Sequence, residues 1–199
     1  MGKFDKAFAG MILGFIIPVT SFCGFWWSSF ALGLNVKVWG ISGITVGILI
    51  DVVFLRKLIS RFYYLSKLTL LMLYAAYSIG ILGFSMGVPV FNVIPGVLAG
   101  IYVGRKMKIT GQSRDVFKAA MRKTAWFASC ALLAVCSLSA SIALLDPFTG
   151  ENLRGMLNLS FEVTKTHIWL VIILGGTTLL LVQYLLLMKA GKAAYETID

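Results

Sequence analysis

Long apolar stretches separated by short charged loops dominate the pattern of this chain. Residues 7–36 contain no charged side chain, and comparable apolar runs recur to the end of the sequence. A run of roughly 18 or more apolar residues is long enough to cross the hydrocarbon core of a bilayer as one α-helix. The runs lack the strict alternation of barrel strands. The pattern therefore predicts an all-α, polytopic integral membrane protein with six transmembrane helices, at about 8–32, 38–55, 68–86, 89–104, 124–145 and 168–188.

Composition agrees with this fold class. The chain has 59% hydrophobic and 13% charged residues, whereas a soluble domain carries about 25% charged residues. No Pro-, Gly- or Ser-rich linker interrupts the sequence. We therefore expect a single six-helix transmembrane domain over residues 1–199, in the cell membrane.

The basic residues alternate between loops in a way that predicts orientation. Loops on the cytoplasmic side of a membrane collect Lys and Arg. Only Lys37, Arg154 and Lys165 lie in the first, third and fifth loops, and all other basic residues lie at the termini or in the second and fourth loops. Six crossings place that second set on one side, so both termini are predicted to be cytoplasmic.

The net charge of +10 invites a second interpretation, binding to nucleic acid. The excess lies on one predicted face of the membrane, where orientation and anionic lipid headgroups account for it. We expect membrane lipids, and no nucleic acid, as partners of this face.

Glycines four residues apart mark helix faces that can approach each other closely in lipid. Gly10 and Gly14 form such a pair, and Gly96, Gly100 and Gly104 extend it to three. Gly43 with Gly47 and Gly83 with Gly87 repeat the spacing. Packing within the chain is the simpler interpretation. Docking of a partner membrane subunit is the alternative, with the Gly10–Gly14 face as its best candidate.

Asp51 is the one charged residue well inside a predicted span. Ionisable groups at membrane depth are costly and often functional. A carboxylate there can bind a coupling ion or a proton. It can also pair with Arg56, Lys57 or Arg105, and we favour the ion pair because basic residues are abundant on that side.

Helix breaks indicate where a cavity forms. Broken helices with polar neighbours often line substrate sites in transporters. The helix-break candidates are Pro18, Thr20, Ser21 and Pro95. The side chains expected around an outward-facing ligand pocket are Trp26, Trp27, Tyr74, Tyr77, Asn92 and His167. The simpler interpretations are interfacial belt residues for the tryptophans and a capping role for the lone histidine.

Two loops carry further signals. Ser113 followed by Asp115 is typical of a helix start, so the fifth helix is predicted to begin near Arg114. The outer loop 146–167 is unusually apolar. We expect it to fold over the helix ends, either as a lid or as a short interfacial helix.

Chemistry-bearing motifs are missing from the sequence. It has no nucleophile elbow, zinc-protease, P-loop or dinucleotide fingerprint. Cys23, Cys130 and Cys136 lack metal-ligand spacing and are expected to be buried apolar residues. We therefore expect no catalytic residue, no metal and no cofactor, and we do not expect an enzyme.

The overall outline is six helices, cytoplasmic ends, 199 residues and an apolar outer loop. It is similar to that of the small substrate-binding membrane subunits of energy-coupling-factor vitamin transporters. The likeness is one of outline, and no site residue is carried over from it. We expect an integral membrane small-molecule binding or transport subunit that works with partner subunits. The alternatives are a structural or assembly subunit of a larger membrane complex and an oligomeric channel.

Overall fold

The computed structural model describes residues 2–85, 87–156 and 158–197. Every regular element within these residues is helical. The α-helices are α1 (Lys3–Leu32), α2 (Val36–Arg61), α3 (Lys67–Phe84), α4 (Val93–Ile109), α5 (Arg114–Leu145), α6 (Thr149–Met156), α7 (Lys165–Leu170) and α8 (Gly176–Glu196). Short 3₁₀ turns occupy Phe62–Tyr64 and Pro89–Asn92, and a π-helical turn at Val171–Gly175 joins α7 to α8.

Within the described part of the chain, five helices are long and apolar enough to cross a membrane, namely Lys3–Leu32, Val36–Tyr64, Lys67–Phe84, Arg114–Leu145 and Lys165–Glu196. The prediction of an all-helical membrane protein is confirmed at this level. The fourth predicted span differs from the others. Residues 89–92 form a 3₁₀ turn, and α4 itself has 17 residues, ending at Ile109.

Some helices extend beyond the apolar runs that predicted them. α5 begins at Arg114, as its start signal predicted, ten residues before the predicted span 124–145. The cap itself differs, because the Ser113 side chain makes no capping hydrogen bond. The last helix likewise extends the run 168–188 at both ends. Intrahelical hydrogen bonds continue where the chain leaves the apolar region, so hydropathy underestimates helix length. The predicted end of the third span, residue 86, lies outside the described residues.

The chain divides into two compact units, one up to Ala76 and the other from Tyr77 onward. In the first unit α1 and α2 form an antiparallel hairpin. Asn35 caps α2 through Oδ1, which accepts hydrogen bonds from the backbone N–H groups of Lys37 and Val38. Glycines of α2 bring the backbones together: a Cβ on Gly43 would lie 2.8 Å from the carbonyl oxygen of Ser21.

The second unit is built on α4, α5 and α8, which pack on one another. Its core is formed by Phe117, Met121, Ala125, Ala128, Leu132 and Leu187. The loop between α5 and α7 contains α6, so the short helix that was one expectation for residues 146–167 is present. The Gly83–Gly87 pair was wrongly predicted as one helix face, because α3 ends at Phe84 and Gly87 has a positive φ of 84°.

Large apolar side chains cover much of the helix surface. Trp27, Phe84, Trp126 and Leu145 are all more than two-thirds exposed. Cys23 and Cys130 also lie on this surface, so their predicted burial is wrong, and all three cysteines are free thiols. Exposed apolar surface on long helices is the arrangement expected of a protein whose solvent is lipid.

Candidate functional site

The closest helix contact in the second unit joins α4 to α8. The three glycines of α4 face Gln183, Leu187 and Gly191 of α8. A Cβ on Gly96 would lie 2.8 Å from Cδ of Gln183, and one on Gly100 would lie 2.6 Å from the carbonyl oxygen of Leu187. Only glycine allows this approach. The structure therefore uses the α4 glycine face for packing within the chain.

Gln183 occupies the centre of this contact. Its side chain is fully buried, and neither Nε2 nor Oε1 has a hydrogen-bond partner among the described residues. A buried amide without partners costs about 1–3 kcal/mol or more, because it has lost its hydrogen bonds to water. Such groups are rare in folded proteins, and they usually have a structural or functional reason.

Asn92, at the end of the 3₁₀ turn before α4, is a second buried amide of this unit. It precedes Gly96 by four residues and is 2% exposed. Its Nδ2 donates a 2.8 Å hydrogen bond to the carbonyl oxygen of Ser78, while Oδ1 has no partner. Gln183 and Asn92 thus each bury side-chain polar atoms that lack a partner among the described residues. This set suits hydrogen bonding to an uncharged polar group.

Irregular helix geometry accompanies these amides. Asn92 ends the 3₁₀ turn Pro89–Asn92, and Pro95 lies just inside α4. On the other side of the contact, the π-helical turn Val171–Gly175 precedes α8. Both features weaken the regular ladder of backbone hydrogen bonds. π-Helical turns and broken membrane helices occur frequently at functional sites.

Asp51 is the notable polar group of the first unit. It is 7% exposed, and its Oδ2 lies 3.8 Å from the position that a Cβ on Gly14 would take. Oδ1 has no hydrogen-bond partner. Among the described residues Asp51 forms no ion pair. The favoured prediction of an ion pair is therefore wrong for Arg56 and Lys57, the two candidate partners in the same unit.

The neighbourhood of Asp51 includes a backbone acceptor. Pro18 has no N–H, so the carbonyl of Gly14 lacks its helical donor. Pro18 lies at the closest approach of α1 to α2, against Gly47. Thr20 donates its hydroxyl to the carbonyl oxygens of Ile16 and Ile17, at 2.7 and 3.1 Å. α1 continues through Pro18 to Leu32, so the helix break predicted at Pro18, Thr20 and Ser21 is wrong. A carboxylate and a freed carbonyl on facing helices are oxygen ligands for a proton or a small cation.

The face of Gly10 and Gly14 is covered from within the same unit. A Cβ on Gly10 would lie 3.5 Å from Cδ1 of Ile59, and one on Gly14 would lie 3.4 Å from Cδ2 of Leu55. This face was the preferred candidate for docking a partner subunit. The structure corrects that interpretation, because α2 already occupies the surface.

The residues expected around an outer pocket are divided between the two units, with Trp26, Trp27 and Tyr74 in the first and Tyr77, Asn92 and His167 in the second. Trp26 contacts the rings of Phe22 and Phe30, with centroid distances of 5.3 and 6.1 Å. Trp27 is 74% exposed, as a residue facing lipid would be. Tyr74 and Tyr77 are half-buried on α3.

His167 accepts a 3.1 Å hydrogen bond at Nδ1 from the backbone N–H of Thr164. Its ring packs on Phe161, with centroids 5.5 Å apart. These contacts place His167 in the cap of α7. Among the proposed pocket residues, Asn92 has a buried oxygen, Oδ1, that lacks a hydrogen-bond partner in the described part of the chain.

The burial of several polar residues was not predicted from the sequence, and three of them matter most here. They are Gln183 in the α4–α8 contact, Asp5 at the start of α1, and Arg105 near the end of α4, which donates to the carbonyl oxygen of Thr197 at 3.2 Å. A signal existed for Gln183. It is spaced four residues from Leu187 and eight from Gly191, so it shares the face that the α4 glycines require.

Comparison with known protein families, with curated proteins and with solved structures found no match to this chain. Within the described residues, no group of three or more His, Cys, Asp or Glu side chains is arranged to hold a metal ion.

Proposed function

We propose that this protein is a small-molecule binding or transport subunit of the cell membrane, with its solute contacted by Gln183 and Asn92. The observation that carries the proposal is the fully buried Gln183 amide, whose two polar atoms lack partners. Burying that amide lowers stability, and a bound polar solute would supply the missing hydrogen bonds. The 3₁₀ turn before α4 and the π-helical turn before α8 support a site whose helices move apart to admit the solute.

Six crossings are part of this proposal. To the five long apolar helices we add the segment from Pro89 through Ile109, a 3₁₀ turn continued by α4. Its glycine face packs on α8, one of the five. A helix in such close contact with a membrane-spanning neighbour has its backbone shielded at the same depth.

Charge supports an orientation with both termini in the cytoplasm. With six crossings, the basic end of α4 and the basic start of α5 fall on the same side as Lys3 and Lys192. The outer loops then contain three basic residues and the acidic residues Asp146, Glu151 and Glu162. The distribution follows the positive-inside rule.

Asp51 suggests how solute binding is coupled to an ion. A carboxylate that is buried in a membrane helix without a charged partner is stable only when it holds a proton or a cation. The Gly14 carbonyl, freed by Pro18, supplies a second oxygen. We therefore assign proton or monovalent-cation binding to this position.

Native mass spectrometry after mild purification from the native host tests the proposal. Wild-type protein is expected to retain a small polar molecule. Gln183→Met keeps the length of the side chain and removes its hydrogen-bonding atoms, so it should lose that molecule. Compared with ligand-free wild-type protein, Gln183→Met should also have a higher midpoint of thermal unfolding, because a buried unsatisfied amide is removed. Gln112→Met, in the exposed turn before α5, is the matched control.

Two outcomes contradict the proposal. One is wild-type protein that carries no small molecule but co-purifies with other subunits at a fixed stoichiometry, which indicates a structural or assembly subunit. The other is retention of the same molecule by Gln183→Met, which places the binding site elsewhere.

A further inference from the structure

A groove with a volume of about 440 Å³ runs between the start of α5 and the end of α8. On each side, the lining residues lie three or four positions apart, so they share one face of their helix. α5 contributes Arg114, Phe117, Lys118 and Met121, and α8 contributes Met188, Lys189, Lys192, Tyr195 and Glu196. The volume lies within the range of roughly 300–1,000 Å³ that is typical of small-molecule sites.

The floor of the groove is apolar and firmly packed. Met121 and Phe117 are 1% and 7% exposed. The rings of Phe117 and Tyr195 stack with centroids 4.3 Å apart and an interplanar angle of 13°. The Tyr195 hydroxyl donates to the carbonyl oxygen of Gln112 at 2.9 Å, which fixes this ring in place. The floor is therefore preformed and does not depend on a ligand.

The rim of the groove is cationic. Arg114 is engaged by Glu196, with NH2 and Oε1 3.2 Å apart, and Lys118 lies 3.9 Å from the exposed carboxylate of Asp115. Lys189 and Lys192 are exposed, and within the described residues neither forms an ion pair. Two uncompensated ammonium groups thus stand above an apolar floor.

The surface beyond the rim is apolar on one side. Leu181 and Leu185 precede Lys189 by eight and four residues, so the three share one face of α8. Leu181 and Leu185 are 61% and 56% exposed. A ligand whose anionic group lies at Lys189 and Lys192 would find a path for a hydrocarbon chain along this face. A soluble anion would not contact this apolar face.

We infer that this groove is a binding site for an anionic phospholipid. The phosphate contacts Lys189 and Lys192, the glycerol region lies over Phe117 and Met188, and an acyl chain follows Leu185 and Leu181. Basic pockets between membrane helices are the usual sites for anionic headgroups. The inference concerns the membrane-surface end of the second unit and does not require the solute site at Gln183.

Titration of delipidated protein in a neutral detergent, read by native mass spectrometry, tests this site. Phosphatidylglycerol is expected to bind, and phosphatidylcholine and inorganic phosphate to bind far more weakly. Lys189→Gln/Lys192→Gln should weaken phosphatidylglycerol binding about 30-fold, because each lysine near a headgroup contributes about 1 kcal/mol. Arg122→Gln/Lys123→Gln removes the same charge from exposed positions of α5 outside the groove and should change binding less than threefold.

A second pair of variants tests the acyl path. Leu185→Ser should weaken phosphatidylglycerol binding, whereas Leu186→Ser, at a neighbouring exposed position, should not. Equal binding of phosphatidylglycerol and phosphatidylcholine would overturn the inference, because the lysines would then not distinguish an anionic headgroup from a zwitterionic one. Inorganic phosphate binding as tightly as the lipid would also overturn it, by making the groove a site for a soluble anion. So would equal losses in the two charge-removal variants, because net charge alone would then explain binding.

Discussion

The hydroxyl of Tyr63 donates a 2.7 Å hydrogen bond to Oδ1 of Asp5, across 58 positions of sequence. Both side chains are 1% exposed. The other carboxylate oxygen, Oδ2, accepts a 3.2 Å hydrogen bond from the backbone N–H of Gly2. One carboxylate therefore caps the start of α1 and ties it to the turn after α2, at the end of the hairpin opposite its loop.

Tyr63→Phe tests the contribution of this bond to stability. The substitution removes a buried donor from a carboxylate, and we expect it to lower the free energy of unfolding by about 1–3 kcal/mol. Thermal unfolding in detergent measures the change. Tyr64→Phe is the matched control, since Tyr64 is the next residue and is 74% exposed. Similar midpoints for the two variants would show that the Tyr63–Asp5 bond contributes nothing measurable.

Gly100→Ala tests the contact between α4 and α8. The new Cβ would lie 2.6 Å from the carbonyl oxygen of Leu187, and backbone on both sides cannot yield easily. We expect a loss of about 1–3 kcal/mol in the free energy of unfolding. In Gly80→Ala the new Cβ meets no atom within 4 Å, so the variant should be neutral or slightly more stable. Thermal unfolding of the two variants side by side decides the question, and equal stability would contradict the close packing.

Asp51→Asn tests ion binding in the first unit. The wild-type midpoint of thermal unfolding is expected to differ between sodium chloride and choline chloride, or between acidic and neutral buffer, because Asp51 binds a cation or a proton. The variant has no carboxylate and should lose that response. Asp115→Asn is the control, since the Asp115 side chain is 95% exposed. An unchanged response in Asp51→Asn would remove the ion from the proposal.

Labelling of single cysteines tests the orientation. In a background with Cys23, Cys130 and Cys136 replaced by alanine, Ser113→Cys and Lys3→Cys should react with a membrane-impermeant maleimide from the same side. Thr149→Cys should react only from the other side. The physical reason is the asymmetry of Lys and Arg between alternate loops. Labelling of Ser113→Cys and Lys3→Cys from opposite sides would contradict both six crossings and cytoplasmic termini.

The candidate site was predictable in part. The glycine spacing on α4 predicted a helix face that packs closely, and Asn92 was predicted to be a pocket residue near the helix-break candidate Pro95. What covers that face was not predictable, because Gln183 comes from a helix about 80 residues later and pairwise helix contacts leave little trace in a single sequence. Asp51 was identified as a buried charge, but its expected ionic partner was wrong. Proximity in sequence to Arg56 and Lys57 did not produce contact in the structure.

The sequence by itself determined that the chain is helical and suited to lipid. Backbone groups without water must bond within their own segment, so long apolar runs become helices whatever their neighbours are. The tertiary structure alone decided which helix faces meet, and so which polar atoms lose water without gaining a partner. That outcome depends on contacts of a few ångströms between residues distant in sequence, such as Gly96 with Gln183 and Gly14 with Asp51.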